Sequence, residues 1–147
     1  MTVTRLGSLG DIDAAADLLD QYRQHYGANP APEAVAAWLR DQIESARARV
    51  YLAGEAGEAD GICTVAVVPA ALTLRTVWLV RDLYVRPAAR RRGVARALLT
   101  AVAEEARASG AHRLSLQTET ANVRAIELYA RTGFAALPEV TVMDGVL

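Results

Sequence analysis

Residues 86–96 have the sequence Arg-Pro-Ala-Ala-Arg-Arg-Arg-Gly-Val-Ala-Arg and separate two segments of different periodicity. The apolar run before them, residues 77–85, predicts a strand, whereas residues 94–109 have apolar side chains at helical spacing. Residues 86–96 are therefore predicted to turn tightly from a strand into a helix N-terminus, where backbone N–H groups and the helix dipole attract anions. Three consecutive arginines crowd this turn, and a bound anion would relieve their repulsion. We predict a phosphate or pyrophosphate cradle here.

The bulk composition is that of an ordinary folded protein. The chain has 147 residues, which predicts one domain, 1–147, and its net charge of -1 gives no reason to expect nucleic acid or an anionic membrane as a partner. All 16 basic residues are arginine, so a lysine Schiff base and a P-loop are excluded. No metal ion is expected.

Cys63 is the single cysteine, so the chain cannot form an intrachain disulfide. The first residues lack an apolar signal-peptide core, and no apolar run approaches the ~20 residues of a membrane span. We therefore expect a cytoplasmic protein. Cys63 lies in a predicted strand and is expected to be a small buried residue rather than a nucleophile.

The order of predicted elements is a strand, two helices, three strands, a helix, a strand, a helix and closing strands. This order indicates an α+β (mixed α/β) fold, with a mostly antiparallel sheet flanked by about four helices. In sequence, the predicted elements are residues 3–6, a helix capped by Ser8 or Asp11 and ending near Gly27, a helix from Pro32, strands at 50–53, 62–68 and 72–85, helix 94–109, strand 113–117, helix 122–131, and strands at 134–137 and 140–143.

Two motifs resemble those of the GNAT superfamily of N-acetyltransferases. The first is the acyl-CoA signature Gln/Arg-x-x-Gly-x-Gly/Ala, present at residues 90–95. The second is Asn-x-x-Ala-x-x-x-Tyr-x-x-x-Gly-Phe, present at residues 122–134, with Tyr129 in its tyrosine position. The resemblance spans the whole predicted strand order and implies a splayed central sheet, an acetyltransferase activity and acetyl-CoA as the co-substrate.

The resemblance also implies which residues hold acetyl-CoA. The strand before the turn carries a bulge in the family, and its main chain pairs with the pantetheine arm like an added strand. Gly93 permits close approach of the backbone, and the small Ala95 lets the helix start approach a phosphate. The cofactor-binding residues are predicted to be Leu83, Tyr84, Val85, Arg90, Arg91, Arg92, Gly93, Val94, Ala95, Arg96, Asn122 and Tyr129.

Catalysis is predicted to proceed by direct attack of an amine on the thioester, because no Ser-His-Asp arrangement is evident. By resemblance, Tyr129 lies near the CoA sulfur and is the candidate general acid; packing alone is the alternative role. Asp82 is the candidate to bind the acceptor's ammonium or to orient a water that removes its proton, and a surface carboxylate is its alternative. Glu119 is a second candidate, ranked below Asp82.

Acceptor recognition is predicted around the connection between the first two helices and at the strand ends. Tyr22 and Tyr26 lie one helical turn apart there. In GNAT diamine acetyltransferases an acidic pair occupies the positions of Arg81 and Asp82, and Arg81 departs from that pattern, which argues against a polyamine. Adjacent strand residues face opposite ways, so one of the two is expected to face the acceptor.

The leading functional prediction is an acetyltransferase acting on a small amine. The alternatives are acetylation of a protein or peptide amine, and a non-catalytic acyl-CoA-binding module. A nucleic-acid-binding module is disfavoured, because it needs a broad basic face. A homodimer is left open.

Overall fold

The computed structural model describes residues 1–6, 12–55 and 58–147. The predicted caps Ser8 and Asp11 lie outside these ranges. Two compact units are distinguished, Met1–Gln117 and Thr118–Leu147.

The first unit contains a five-stranded sheet whose spatial order follows the chain order. The first four strands form antiparallel pairs with one another, and the fifth runs parallel to the fourth. This confirms the predicted α+β class and the mostly antiparallel sheet. The strands are β1 Thr2–Arg5, β2 Arg49–Glu55, β3 Glu58–Ala70, β4 Arg75–Val85 and β5 Arg113–Leu116. The strand predicted at 72–85 begins later, because residues 71–74 form a turn in which Leu74 has φ 55°.

Three helices of the first unit cover the two faces of the sheet. They are α1 Ile12–His25, α2 Pro32–Glu44 and α3 Val94–Ala108. The fixed φ of Pro32 suits the first turn of α2. Val50 and Leu52 pack in one core with α1 and α2, whereas Tyr51 between them donates a hydrogen bond to Glu105 of α3. Because adjacent strand residues face opposite ways, α1 and α2 lie on one face and α3 on the other.

A β-bulge interrupts β4 at Arg81. On the partner strand, Thr64 pairs with Asp82 but its neighbour Val65 pairs with Val80, which leaves Arg81 as an extra residue. Cross-strand partners share a face of the sheet, so Val80 before the bulge and Asp82 after it face opposite sides. If Arg81 instead paired with Thr64 in a regular ladder, Asp82 would lie on the α3 face. The bulge therefore directs Asp82 to the face that carries α1 and α2.

The second unit contains one helix, α4 Val123–Arg131. Residues 134–147 are all described and form no strand, so the prediction that 134–137 and 140–143 close the sheet is wrong. Pro138 has no N–H to donate to a ladder, and Leu137, Val140 and Val142 are exposed rather than alternately buried. Apolar composition alone made these segments resemble strands.

Candidate active site

The chain turns between β4 and α3 through a short 3-10 helix, Pro87–Ala89, followed by Arg91 at φ 63° and Gly93 at φ 79°. Both left-handed residues turn the chain sharply into α3, whose first intrahelical bond runs from the Ala97 N–H to the Gly93 carbonyl at 2.9 Å. The backbone N–H groups of residues 91–96 find no acceptor among the described residues. They form the cluster of free donors at the positive helix end that the sequence predicts.

Close packing of α3 against β3 fixes the position of this helix end. A Cβ atom on Gly61 would lie 2.7 Å from Cγ1 of Val94 and 3.2 Å from Cδ1 of Leu98. Any larger residue at position 61 would therefore push the first turn of α3 away from the sheet. At Gly93, by contrast, a Cβ would meet nothing within 4 Å, so the backbone there is open to a ligand.

The arginines around the turn fall into two groups. Arg86 is paired with Asp60 and with Glu58 at 3.2 Å, and Arg90 donates from Nε to the Val85 carbonyl at 3.0 Å while its guanidinium lies over the ring of Tyr84. The second group consists of Arg91, Arg92 and Arg96. Their side chains are exposed and form no ion pair with any residue in the described ranges. Three guanidiniums beside free N–H groups suit a pyrophosphate.

The edge of β4 next to the turn is open within the first unit. The parallel partner β5 pairs only with residues 77–80 and ends at Leu116. The Arg86 N–H donates to the Asp60 carbonyl on the β3 side, at 2.9 Å. Since main-chain groups alternate in direction along an antiparallel strand, those of Leu83 and Val85 point away from β3. Arg90 already donates to the Val85 carbonyl, so the free groups along this edge are the N–H and carbonyl of Leu83 and the N–H of Val85.

The main-chain groups of Tyr84 point the opposite way from those of Leu83 and Val85. Its main chain faces β3, its ring lies 6.0 Å from that of Tyr22, and its hydroxyl donates to Oε1 of Gln21 at 3.4 Å. Tyr84 is buried in the core beneath α1.

A pocket of about 390 Å³ opens where α1, α2 and β4 meet. Its lining combines apolar side chains with one carboxylate and one guanidinium. The lining residues are Leu19, Tyr22, Arg23, Ala31, Ala34, Val35, Trp38 and Asp82. A cavity of this size and composition suits a small molecule with one or two polar anchoring points.

Asp82 is held in position by Thr64, which is buried and donates its hydroxyl to Oδ2 of Asp82. Asp82 forms no ion pair within the part of the chain that the structure describes. Burial raises the pKa of the Tyr22 hydroxyl, and the negative charge of Asp82 raises it further, so the phenol stays protonated at neutral pH. The pocket thus presents a fixed anion beside a neutral donor.

The wall of the pocket at Ala31 is tied to α1. The Ala31 N–H donates to Oδ1 of the buried Asp20 at 3.0 Å, and Arg23 donates to the same carboxylate at 3.1 Å and to the Asn29 carbonyl at 3.2 Å. The connection between α1 and α2 is therefore held by a buried carboxylate in addition to backbone hydrogen bonds such as that from the Ala28 N–H to the Arg23 carbonyl at 3.0 Å.

The predicted acceptor residues have different positions. Tyr22 and Asp82 both line the pocket. Tyr26 packs edge-on against Tyr22 but is 65% exposed and does not line it, and Arg81 projects to solvent from the bulge. Glu119 belongs to the second unit. Between Arg81 and Asp82, the residue that faces the pocket is Asp82.

The sequence did not predict that Trp38, Arg23 and Thr64 belong to the site. Trp38 has the helical spacing of a core residue, yet it is 51% exposed and lines the pocket. The small residues Ala31 and Ala34, seven and four positions before it, were the available signal, because they leave space on the same helix face. Thr64 carried no signal in the sequence.

Cys63 is fully buried, as predicted, and burial raises the pKa of its thiol to about 12, with a smaller contribution from the charge of Asp82. The thiol therefore stays protonated at neutral pH and is a poor nucleophile.

The second unit presents the other predicted residues on and beside α4. Asn122 caps this helix, its Oδ1 accepting the Ala125 N–H at 3.3 Å. Tyr129 is half-buried, and its ring lies 6.0 Å from that of Phe134 in an edge-on arrangement. Gly133, at φ 100°, turns the chain so that the Phe134 N–H donates to the Tyr129 carbonyl at 2.9 Å.

The sequence model of the acetyltransferase (GNAT) family matches residues 13–134. The chain belongs to the GNAT family. A protein of Bacillus subtilis (strain 168) named "Uncharacterized N-acetyltransferase YhfO" is 31% identical over 130 residues, covering 88% of this chain and 87% of the relative. These matches make the chain an N-acetyltransferase, and the GNAT family generally uses acetyl-CoA as the acetyl donor.

Two solved structures show the same fold at similar identity. The crystal structure of a probable acetyltransferase is 29% identical, with a TM-score of 0.93 over 100% of this chain and 98% of the other. The aminoglycoside acetyltransferase HMB0005, from an uncultured soil metagenomic sample, is 28% identical, with a TM-score of 0.80 over 99% of this chain and 97% of the other. None of the helices in the described ranges combines the length and the apolar character that a membrane span requires.

Proposed function

We propose that this GNAT enzyme transfers the acetyl group of acetyl-CoA to the primary amine of a small molecule by direct attack, and that residues 1–147 act as one domain. The observation that carries the proposal is the bulge at Arg81. It directs Asp82 into the pocket between α1 and α2, next to the open edge of β4. The pocket volume of about 390 Å³ favours a small acceptor over a folded protein surface.

The residues around the turn fit acetyl-CoA, whose thioester supplies the acetyl group. The N–H groups of residues 91–96 and the guanidiniums of Arg91, Arg92 and Arg96 would hold the pyrophosphate. The free main-chain groups of Leu83 would hold the pantetheine arm. The strand edge beside Asp82 and the helix end that binds phosphate belong to one continuous stretch of chain, so donor and acceptor sites adjoin.

Asp82 serves as the anchor for the acceptor amine. Its carboxylate, oriented by Thr64, accepts a hydrogen bond from the acceptor's ammonium and takes up the ammonium's proton through a water that it orients. The amine that attacks must be neutral, because a protonated nitrogen has no lone pair. Cys63 takes no part, since its buried thiol remains protonated.

Tyr129 serves as the general acid that returns a proton to the departing thiolate. The support is its place in the Asn-x-x-Ala-x-x-x-Tyr pattern of residues 122–129, together with a half-buried ring. A phenol has an ordinary pKa of about 10, so it is protonated at neutral pH and has a proton available for the departing thiolate.

The proposal is tested by substituting Asp82→Asn, which keeps the shape and removes the charge. Loss of a hydrogen bond to a charged group, worth about 1.5–3 kcal/mol, predicts a fall of about 10- to 150-fold in kcat/KM for the acceptor. Asp41→Asn is the control, because Asp41 is an exposed carboxylate paired with Arg47. Release of CoA is measured with a panel of amines and peptides, and acetyl-CoA binding is measured by calorimetry. Tight acetyl-CoA binding without transfer to any acceptor would contradict the proposal.

A further inference from the structure

Apolar side chains of α1 and α2 form one wall of the acceptor pocket. Leu19 and Val35 form part of it, and the indole of Trp38 stands beside them with half its surface exposed. The short side chains of Ala31 and Ala34 on the same helix face leave room in front of the indole. An aromatic side chain of this size, left uncovered in a cavity, gains free energy when an apolar group covers it.

The charges of the pocket also limit what binds there. Among the described residues that line the pocket, Asp82 is the single carboxylate and Arg23 is the only other charged residue. Arg23 cannot easily turn away, because it donates to Asp20 and to the Asn29 carbonyl. A molecule with one ammonium can place it on Asp82, but a second ammonium would find no second carboxylate in the described lining and would lie near the Arg23 guanidinium, which is already paired with Asp20. The lining therefore disfavours polycations.

We infer that the acceptor is a primary monoamine with an apolar body about the size of an aromatic ring. Its nitrogen lies at Asp82, and its body packs against Trp38, Leu19 and Val35. This inference rests on the proposed function and assigns Trp38 as the residue that determines acceptor specificity. It separates this enzyme from the aminoglycoside acetyltransferase that shares its fold, because an aminoglycoside carries several ammonium groups on a polar body.

The experiment compares 2-phenylethylamine, ethylamine, spermidine, an aminoglycoside and a short peptide with a free N-terminal amine, with CoA release as the readout. Because one methylene in an apolar pocket is worth about 10-fold or more, 2-phenylethylamine is expected to exceed ethylamine by at least about ten-fold in kcat/KM. It is also expected to exceed spermidine, the aminoglycoside and the peptide.

Substitution of Trp38 separates a specificity role from a structural one. Trp38→Ala is expected to lower kcat/KM for 2-phenylethylamine by about ten-fold, mainly through KM, and to leave ethylamine within about two-fold. Trp38→Phe should restore most of the loss. Equal loss for both amines, or no loss for either, would overturn the assignment of Trp38.

Binding is measured separately from turnover, so that the two proposals fail differently. Calorimetric titration of 2-phenylethylamine into the CoA-bound protein should show binding that Trp38→Ala weakens. If spermidine, the aminoglycoside or the peptide is acetylated best, the acceptor class is wrong while acetyl transfer stands. If 2-phenylethylamine binds but no amine is acetylated, the pocket assignment stands and the proposed function fails. Absence of both binding and turnover with 2-phenylethylamine would overturn the inference.

Discussion

Replacing Gly93 by glutamate tests whether the turn before α3 holds the phosphates of acetyl-CoA. Gly93 and Gly110 flank the same helix, both have φ 79°, and a Cβ at either would meet nothing within 4 Å. Gly93→Glu and Gly110→Glu therefore add the same side chain with the same backbone strain, about 1–2 kcal/mol. They differ in the end of the helix at which the new charge lies, which makes Gly110→Glu the matched control.

The helix dipole gives the two variants different stabilities. A carboxylate gains about 0.3–1 kcal/mol at the N-terminus of a helix and loses a similar amount at the C-terminus. We expect Gly93→Glu to lower the free energy of unfolding by about 0–2 kcal/mol and Gly110→Glu by about 1–3 kcal/mol. The variant predicted to lose the ligand is thus the more stable of the two.

Ligand binding should change in the opposite order. Two like charges about 6 Å apart at an effective dielectric constant of about 20 repel by about 3 kcal/mol, which corresponds to an affinity loss of about 100-fold. Gly93→Glu should therefore bind acetyl-CoA at least about 100-fold more weakly in calorimetry, whereas Gly110→Glu should bind within about two-fold of the parent. Denaturant unfolding supplies the stabilities. The reasoning is refuted if Gly93→Glu binds acetyl-CoA within about three-fold of the parent protein, or if both variants lose affinity equally.

Two further predictions concern Tyr129 and Cys63. Tyr129→Phe should lower kcat by about ten-fold or more, because the variant lacks the proton that the phenol donates. Acetyl-CoA affinity measured by calorimetry should stay nearly constant. Unchanged turnover with the true acceptor would reject the general-acid role. Cys63 has a thiol pKa raised from 9.0 to about 12, so between pH 9 and pH 10 the folded protein binds more protons than the unfolded chain and stability falls as pH rises. The expected loss is about 1 kcal/mol by pH 10, seen in urea unfolding; the slope should flatten in Cys63→Ala, and an equal slope in both proteins would contradict the burial argument.

Local patterns were sufficient to predict most of the fold. The turn at residues 86–96, helix α3 and the antiparallel order of β2, β3 and β4 follow from periodicity and from glycine and proline positions, which are properties of short segments. The errors concern segments whose structure depends on distant partners. Residues 140–143 have strand-like composition but form no ladder in the structure. β-propensity describes how a side chain fits a sheet surface, and it cannot supply the neighbouring strand.

In the candidate site too, the features that depend on local sequence were predictable and those that depend on distant partners were not. The free N–H groups before α3 were predictable, because they depend on a helix start. Which of Arg81 and Asp82 faces the pocket was not predictable, because a bulge is defined by the register with β3. Trp38 was not predicted to line the pocket, because helical spacing does not reveal whether the opposing surface is filled. Arg86 begins the predicted turn, and its pairing with Asp60 was not predictable, because it depends on the approach of another strand.

The bulge at Arg81 makes the pairing of β4 with β3 matter more than the identity of residue 81. Many side chains would be tolerated at an exposed, unpaired position, so a relative could replace Arg81 freely. Removing Arg81 would also preserve the site, because Val80 paired with Val65 and Asp82 paired with Thr64 would then be consecutive pairs of a regular ladder. Pairing of residue 81 with Thr64 is a different event, because residues 82–85 would then each exchange sides of the sheet. The carboxylate of the acceptor pocket would be turned toward α3, and residue 81 would take the place of Asp82 in the pocket. Changes that draw residue 81 into the ladder are therefore the ones by which such an enzyme would lose or re-aim its acceptor site in a single mutational step.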